Sequence, residues 1–295
     1  MCPMKNEEFD NIYKNVPYDQ KELLAQFRSS HPRLSLTRNG VVWEYISCGE
    51  GTETLVLLPG GLGFYEAMFK VIMALEKKFH IITAKYPQVR TMDDLIEGIA
   101  LILESEHVQK VNLLGVSFGG WLAQCFVRKH PEVINKLILS NTSGPDGFSI
   151  NQVKIGVASA RFLPLGFLKA ANKERIMKLI SPTDSELEFW KAFLDEEFSC
   201  HVTRKDMVCR LQNTLDYMSN YKFSSDDLAE WKGKMLVLES DDDLAFQQPI
   251  RNSLKMLYPS AQICTLQNAG HAPSHRGSLE YISAIDRFIS QSSDM

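Results

Sequence analysis

Ser117 is the side chain whose local sequence most clearly indicates chemistry. It lies in Gly115-Val116-Ser117-Phe118-Gly119, which fits the G-x-S-x-G pattern of a serine nucleophile held on a sharp turn between a strand and a helix. The pattern alone can occur by chance, but here an apolar run enters it and a helix-like run rich in Ala, Leu and Gln leaves it. Gly115 and Gly119 suit this turn because Cβ atoms there would collide across it. The alternative is a turn that merely joins the two elements.

His271 is the candidate base that this hypothesis requires. A serine hydroxyl is a weak nucleophile, so it needs a base and a carboxylate that orients the base. His271 follows the last predicted strand and precedes the last predicted helix, which is where a base could meet Ser117. His275, four positions later, is the local competitor. A loop histidine that caps the final helix is the structural alternative for His271.

The orienting acid is expected directly after the strand-like run MLVLE, where Asp241, Asp242 and Asp243 are consecutive. We favour Asp242, because the acid usually lies two positions before the first apolar residue of the next segment, and that residue is Leu244. The other two aspartates suit a solvated turn and a helix start. The choice among the three stays open at this point.

Two backbone amides are candidates for stabilising the oxyanion that acyl transfer creates. One is the amide of Phe118, next to Ser117. The other is the amide of Gly61, in the glycine-rich run 59–63 that follows the strand-like TLVLL, where a plain structural turn is the alternative. This run has the wrong spacing for a phosphate-binding loop, and no G-x-G-x-x-G run opens a helix, so nucleotide cofactors are disfavoured. We expect neither a metal nor an organic cofactor.

The elements that must position these residues alternate between strand and helix. Short apolar runs, typical of strands covered on both faces of a parallel sheet, lie at 54–58, 80–84, 111–115, 136–140, 234–239 and 262–266. Asn39-Gly40 predicts a hairpin before them. Between 144 and 231, helical patterns follow one another without a strand, which predicts an inserted helical lid. The predicted organisation is a polar leader at 1–32, a core at 33–143 and 232–295, and a lid at 144–231.

Composition narrows the classes of partner. The formal net charge is -4 with both signs interspersed, which disfavours nucleic acid as a partner. No apolar run reaches the ~20 residues of a membrane span, and the first residues lack the apolar stretch of a signal peptide. We therefore predict a cytoplasmic protein without an integral membrane segment. The six cysteines form no CxxC pair, so the sequence indicates neither a disulfide framework nor a zinc site.

With these residues in place, the chain resembles the α/β-hydrolase superfamily from about residue 33 to 290. The chain order Ser117, Asp242, His271 is the order of that superfamily; Asp146 lies where a few such folds carry the acid. Within it, LLPGGLGFYEAMF, AKYPQ, LLGVSFGGWLAQCF, LILSNTS and KMLYPSAQ look like segments of maspardin-type proteins. The resemblance implies an α/β fold with a mostly parallel central sheet, flanking helices and an inserted helical lid.

The resemblance also implies an activity. It points to a serine hydrolase that cleaves an ester or a related acyl bond of a small, apolar substrate through a covalent acyl-enzyme. Most members carry His-Gly where this chain has Pro59-Gly60, a difference that bears on specificity. Some maspardin-type proteins lack the histidine, so its presence here as His271 favours catalysis. The alternative is a weakly active or inactive hydrolase fold that binds a protein partner.

Overall fold

The computed structural model describes residues 6–147 and 149–291. Residues 1–5, 148 and 292–295, which belong to the predicted leader, lid and core, lie outside the described residues. The strands are β1 Leu34–Arg38, β2 Val41–Cys48, β3 Thr54–Leu58, β4 His80–Ala84, β5 Val111–Val116, β6 Ile134–Ser140, β7 Lys234–Ser240 and β8 Gln262–Leu266. The helices are α1 Asn6–Ile12, α2 Tyr18–Ser30, α3 Phe69–Leu75, α4 Met92–Ser105, α5 Phe118–Lys129, α6 Ile150–Phe162, α7 Leu165–Ile180, α8 Leu187–Glu196, α9 Arg204–Asn220, α10 Gln248–Leu257, α11 Pro273–Arg276 and α12 Leu279–Ser290.

The strands form one sheet in the order β1-β2-β4-β3-β5-β6-β7-β8. The β1–β2 and β2–β4 pairs are antiparallel, and the remaining neighbouring pairs are parallel. β3 and β5 are buried along their whole length, because helices cover both faces of a parallel sheet. The predicted fold class, a mostly parallel central sheet flanked by helices, is confirmed.

The parallel strands place their carboxyl ends at one edge of the sheet. The loops that follow β3, β5, β6, β7 and β8 contain the glycine-rich run, Ser117, Asn141, the three aspartates and His271, respectively. In open α/β sheets this edge is where ligands bind. The topology therefore gathers residues that are up to about two hundred positions apart in the sequence.

The helices α6 to α9 lie between β6 and β7, in the segment predicted to form a lid, and we call them the helical insertion. Its large apolar side chains divide into two groups. Trp190, Phe193 and Phe198 are buried in a core cluster, whereas Phe162 and Phe167 are 86% and 61% exposed. The buried group consists of packing residues, so it does not form the wall of an open apolar cavity. In the described ranges 6–147 and 149–291, none of the helices combines the length and the apolar character that a bilayer span requires.

The N-terminal helices α1 and α2 pack against the rest of the fold although their sequence is polar. Tyr13 and Phe27 are fully buried, and the Tyr13 hydroxyl donates to Glu196 at the end of α8. Arg28 forms ion pairs with Glu196 at 3.0 Å and with Glu66 at 2.8 Å. Because Glu66 lies in the turn after the glycine-rich run, this arginine joins the predicted leader, that turn and the helical insertion.

We expect Glu197, next to this ion-pair cluster, to make the free energy of unfolding depend on pH. Burial raises its pKa to about 7, with the charges of Glu66 and Glu196 adding to the rise and His201 opposing it. A carboxyl whose pKa is higher in the folded than in the unfolded chain stabilises the fold below the unfolded pKa, and this contribution is lost as pH rises toward the folded pKa. We therefore expect Glu197→Gln to increase the free energy of unfolding by about 2 to 4 kcal/mol at pH 8 and to leave it nearly unchanged at pH 4.

Urea unfolding of wild type and Glu197→Gln at both pH values measures this effect. Glu280→Gln, which changes an exposed carboxyl on α12, serves as the control and should show no such pH-dependent gain. An equal gain for Glu197→Gln at pH 4 and pH 8 would contradict the prediction.

Candidate active site

Ser117 occupies the turn between β5 and α5 in the strained geometry that its sequence predicts. Its φ is 52°, a left-handed conformation that non-glycine residues seldom adopt and that is common at functional sites. A Cβ atom at Gly119 would lie 2.1 Å from the carbonyl oxygen of Leu58, and one at Gly115 would lie 2.3 Å from that of Gly119. Both glycines are therefore required for β3, β5 and α5 to approach each other as they do.

His271 links Ser117 to a carboxylate. Its Nε2 lies 3.0 Å from Ser117 Oγ, and its Nδ1 lies 2.9 and 3.0 Å from the two carboxylate oxygens of Asp243. The imidazole packs against the ring of Phe246, with 5.3 Å between the ring centroids. His271 is 6% exposed and Asp243 is 3% exposed, so water has little access to the carboxylate end of this relay.

The Asp243 carboxylate is held in its ionised form by several donors. Its Oδ1 accepts from the backbone amides of Ala245 at 2.7 Å and Phe246 at 3.0 Å, and its Oδ2 accepts from Asn141 Nδ2 at 3.0 Å. Burial by itself would raise the pKa of Asp243, but the hydrogen bond and the charge of His271, with those from Phe246 and Asn141, bring the pKa below its usual range. An ionised Asp243 can only accept, so Nδ1 of His271 carries a proton and, in neutral His271, the Nε2 lone pair faces Ser117.

The prediction that Asp242 faces His271 is wrong. The Asp242 carboxylate instead accepts from the backbone amide of Gly270 at 2.8 Å, and Asp241 accepts from the amide of Asn268 at 2.8 Å. Both side chains thereby hold the loop that carries His271, and both are exposed. Asp243 is the member of the acidic triplet whose side chain turns inward.

The count that selected Asp242 started from a leucine that does not pack at the site. Leu244 is apolar but 67% exposed, whereas Phe246 is 2% exposed and packs on the His271 ring. The first buried apolar side chain after β7 is thus Phe246. Asp243 lies one position before Leu244 and three before Phe246, so a count of two positions back from either residue misses it.

Asn141, which no sequence motif indicated, completes this part of the site. It follows β6 with a φ of 41° and is 2% exposed. Its Nδ2 lies within hydrogen-bond distance of Asp243 Oδ2, of the Gly270 carbonyl at 3.2 Å and of Ser240 Oγ at 3.1 Å. The available signal was its position directly after a parallel strand, in a residue type that tolerates positive φ.

The competitors named from the sequence lie elsewhere. His275, on α11, contacts Ser274 and the ring of Trp190, and burial, with a smaller effect of His271, lowers its pKa to about 4. Asp146 lies exposed in the 3-10 turn Pro145–Gly147 and has no hydrogen bond to His271 among the described residues. Neither residue takes part in the relay.

The glycine-rich run after β3 lies against Ser117. A Cβ atom at Gly60 would lie 3.2 Å from the Cβ of Ser117, so the backbone at Gly60 closely approaches Ser117. Gly61 adopts a φ of 47°, and the amide of Gly63 donates to the Gly60 carbonyl at 3.0 Å, which closes a tight turn. The Pro59 carbonyl accepts from the Tyr86 hydroxyl at 2.8 Å. This contact anchors the start of the run.

One group of side chains outside this site has the donor types of a metal site. The ligand atoms of His31, Cys48 and Glu76 lie within 4.8 Å of one another, where α2, β2 and the end of α3 meet. His31 Nε2 and Glu76 form a contact of 2.5 Å that also suits a simple ion pair. The five cysteines among the described residues are free, and Cys2 lies outside them.

The chain is similar in sequence to two known proteins and in fold to a solved structure. Maspardin from Danio rerio is 26% identical over 240 residues, which cover 79% of this chain and 73% of that protein. The uncharacterized hydrolase YcgS from Bacillus subtilis (strain 168) is 24% identical over 260 residues, which cover 80% of this chain and 90% of that protein. The enol-lactonase from Burkholderia xenovorans LB400 has the same fold, with a TM-score of 0.73 at 18% identity over 88% of this chain and 100% of that one.

No protein-family model matches the chain. Three observations instead indicate the fold and the similarity of the chain. They are the strand order, the strained serine between β5 and α5, and the similarity to maspardin along most of the chain. The chain therefore has the α/β-hydrolase fold and is similar to maspardin along most of its length.

Proposed function

We propose that the protein is a serine hydrolase that cleaves an ester or a related acyl bond of a small molecule. The single observation that carries this proposal is the continuous chain of contacts from Ser117 through His271 to Asp243. Its spacing of about 3 Å at each step is what proton transfer in nucleophilic catalysis needs.

Each member of the relay has a definite role in the proposed reaction. Ser117 Oγ attacks the substrate carbonyl while His271 Nε2 takes its proton, and His271 then returns the proton to the leaving group. Water repeats the sequence on the acyl-enzyme and regenerates Ser117. Asp243 keeps the His271 tautomer fixed and stabilises the imidazolium that forms. The side chains and water thus supply the whole reaction.

Two amides are proposed to stabilise the oxyanion. The amide of Phe118 opens α5 beside Ser117, and the amide of Gly61 lies in the run that approaches Ser117. Preorganised donors of this kind contribute about 3 to 4 kcal/mol each to transition-state stabilisation. Asp241 and Asp242 support the same geometry indirectly, because they hold the His271 loop at Asn268 and Gly270.

The relatives agree with hydrolysis as the reaction type. YcgS is named as a hydrolase, and the Burkholderia protein with the same fold is named as an enol-lactonase, so an ester is the bond we favour. The similarity to maspardin leaves a second possibility, a silent hydrolase fold that binds a protein partner. The complete relay of Ser117, His271 and Asp243 favours catalysis over that role.

Labelling by a fluorophosphonate probe tests the proposal. We expect the wild type to form a covalent adduct that peptide mass spectrometry locates on Ser117, and to hydrolyse at least one member of a panel of p-nitrophenyl esters. Prior denaturation should abolish the labelling, because it removes the relay that activates Ser117. A folded wild type that neither labels nor exceeds the rate of Ser117→Ala on any ester would refute hydrolysis and favour the partner-binding role.

A further inference from the structure

Arg210 is a buried cation beside the proposed nucleophile, and the reaction described above does not use it. It lies on α9 of the helical insertion and is 7% exposed. Its guanidinium carbon lies 4.7 Å from the ring centroid of Tyr86 and 4.7 Å from that of Phe118. Because Phe118 directly follows Ser117, the charge of Arg210 lies close to the carboxyl edge of β5.

No carboxylate of the described ranges forms an ion pair with Arg210. Its Nη1 donates to Asn213 Oδ1 at 2.9 Å, and its Nε is buried without an acceptor. Asp206, one turn earlier on α9, is engaged by Gln88 and by the start of its own helix. Burial lowers the pKa of Arg210 to about 10, so the guanidinium still carries its charge at neutral pH.

The hydrogen bond that Arg210 does make leaves one particular edge of the guanidinium free. Asn213 engages Nη1. Nε is buried without an acceptor, and Nη2, on the same side of the guanidinium, makes no hydrogen bond to the residues that the structure describes. Two parallel N–H groups match the two oxygens of a carboxylate. A buried charge with an unmatched edge is costly unless a counter-charge arrives, so the missing partner is expected to come from a ligand.

We propose that Arg210 binds a carboxylate group of the substrate, so that the protein prefers acyl substrates that carry a free carboxylate at a short distance from the scissile bond. This proposal rests on the proposed function for its reaction. Tyr86 and Phe118 form the apolar seat that keeps the guanidinium oriented, and Asn213 fixes its rotation. The preferred substrate is therefore an acidic ester. The uncharged apolar acyl ester expected from the sequence is the poorer substrate.

Binding to a protein that cannot turn over tests the site independently of catalysis. In the Ser117→Ala background, calorimetry compares monomethyl adipate, which carries one carboxylate, with dimethyl adipate, which carries none. We expect monomethyl adipate to bind at least about tenfold more tightly, since hydrogen bonds to charged groups differ from neutral ones by this order. Adding Arg210→Met, which keeps an apolar stem of similar length, should remove the preference.

Two further variants separate a charge effect from a folding effect. Asn213→Asp places a carboxylate against Nη1 and should remove most of the preference while Arg210 stays in place. Lys205→Gln removes one positive charge from an exposed position on the same helix and should retain the preference. Unfolding midpoints show which variants are folded. If Arg210→Met does not fold, the comparison of Asn213→Asp with the parent protein tests the proposal.

Rates of ester hydrolysis measure the same preference for an acidic substrate in the wild type. The ratio of kcat/KM for mono-p-nitrophenyl adipate to kcat/KM for its methyl ester should exceed about ten and should fall roughly tenfold to a hundredfold in Arg210→Met. Equal binding of the acidic and neutral ligands would overturn the role of Arg210. So would a preference that persists undiminished in folded Arg210→Met or Asn213→Asp, or one that is lost in Lys205→Gln. Carboxylate binding without any turnover would overturn the proposed reaction and leave the Arg210 site standing.

Discussion

Ser117→Ala is expected to lower kcat for ester hydrolysis by roughly a million-fold. The variant has no atom that can form the acyl-enzyme, and the residual rate would come from the oxyanion donors and from substrate binding alone. Steady-state release of p-nitrophenolate measures the change. The backbone strain at Ser117 does not depend on its hydroxyl, so the variant should fold with an unfolding midpoint close to that of the wild type.

A double variant tests whether Ser117 and His271 act together in one relay. Because Ser117 and His271 act in one step, Ser117→Ala/His271→Ala should be no slower than either single variant. Ser253→Ala, which removes an exposed hydroxyl that donates to the Pro249 carbonyl on α10, should retain the wild-type rate. Additive losses in the double variant would contradict a shared relay.

Asp243→Asn is expected to lower kcat by about 10,000-fold and to leave the fold intact. An amide at this position can donate to His271 Nδ1, which favours the wrong tautomer and turns the Nε2 proton toward Ser117. The loss should appear in kcat at every pH at which the wild type is active, because it follows from the tautomer and not from a shifted titration. Ester kinetics across pH measure it.

Asp242→Asn and Asp241→Asn are the matched controls, since each removes one charge from the same triplet. Both residues accept from backbone amides of the His271 loop, and an asparagine oxygen can accept in the same way. We expect each to stay within about tenfold of the wild-type kcat. A larger loss at Asp242 than at Asp243 would show that the acid is not the residue that contacts His271.

The sequence by itself was sufficient for features that neighbouring residues encode. Alternating apolar runs and helical periodicity predicted the strands that the structure contains, because burial on both faces leaves a pattern within each strand. Ser117 between a strand and a helix, with Gly115 and Gly119 around it, was recognisable for the same reason. The position of His271 followed from the order of elements. The structure brings Ser117 and His271 to 3.0 Å.

What only the tertiary structure decided depends on which way a side chain turns and on what surrounds it. Asp241, Asp242 and Asp243 are chemically identical, and the burial of Phe246 beside the exposed Leu244 determines which carboxylate meets His271. Asn141 reaches that carboxylate from a different strand. Arg210 is one of many cations in the sequence, and it differs in being a buried guanidinium whose Nε has no acceptor and which forms no ion pair within residues 6–147 and 149–291. Such properties arise from contacts between distant segments, and no local pattern in the chain encodes them.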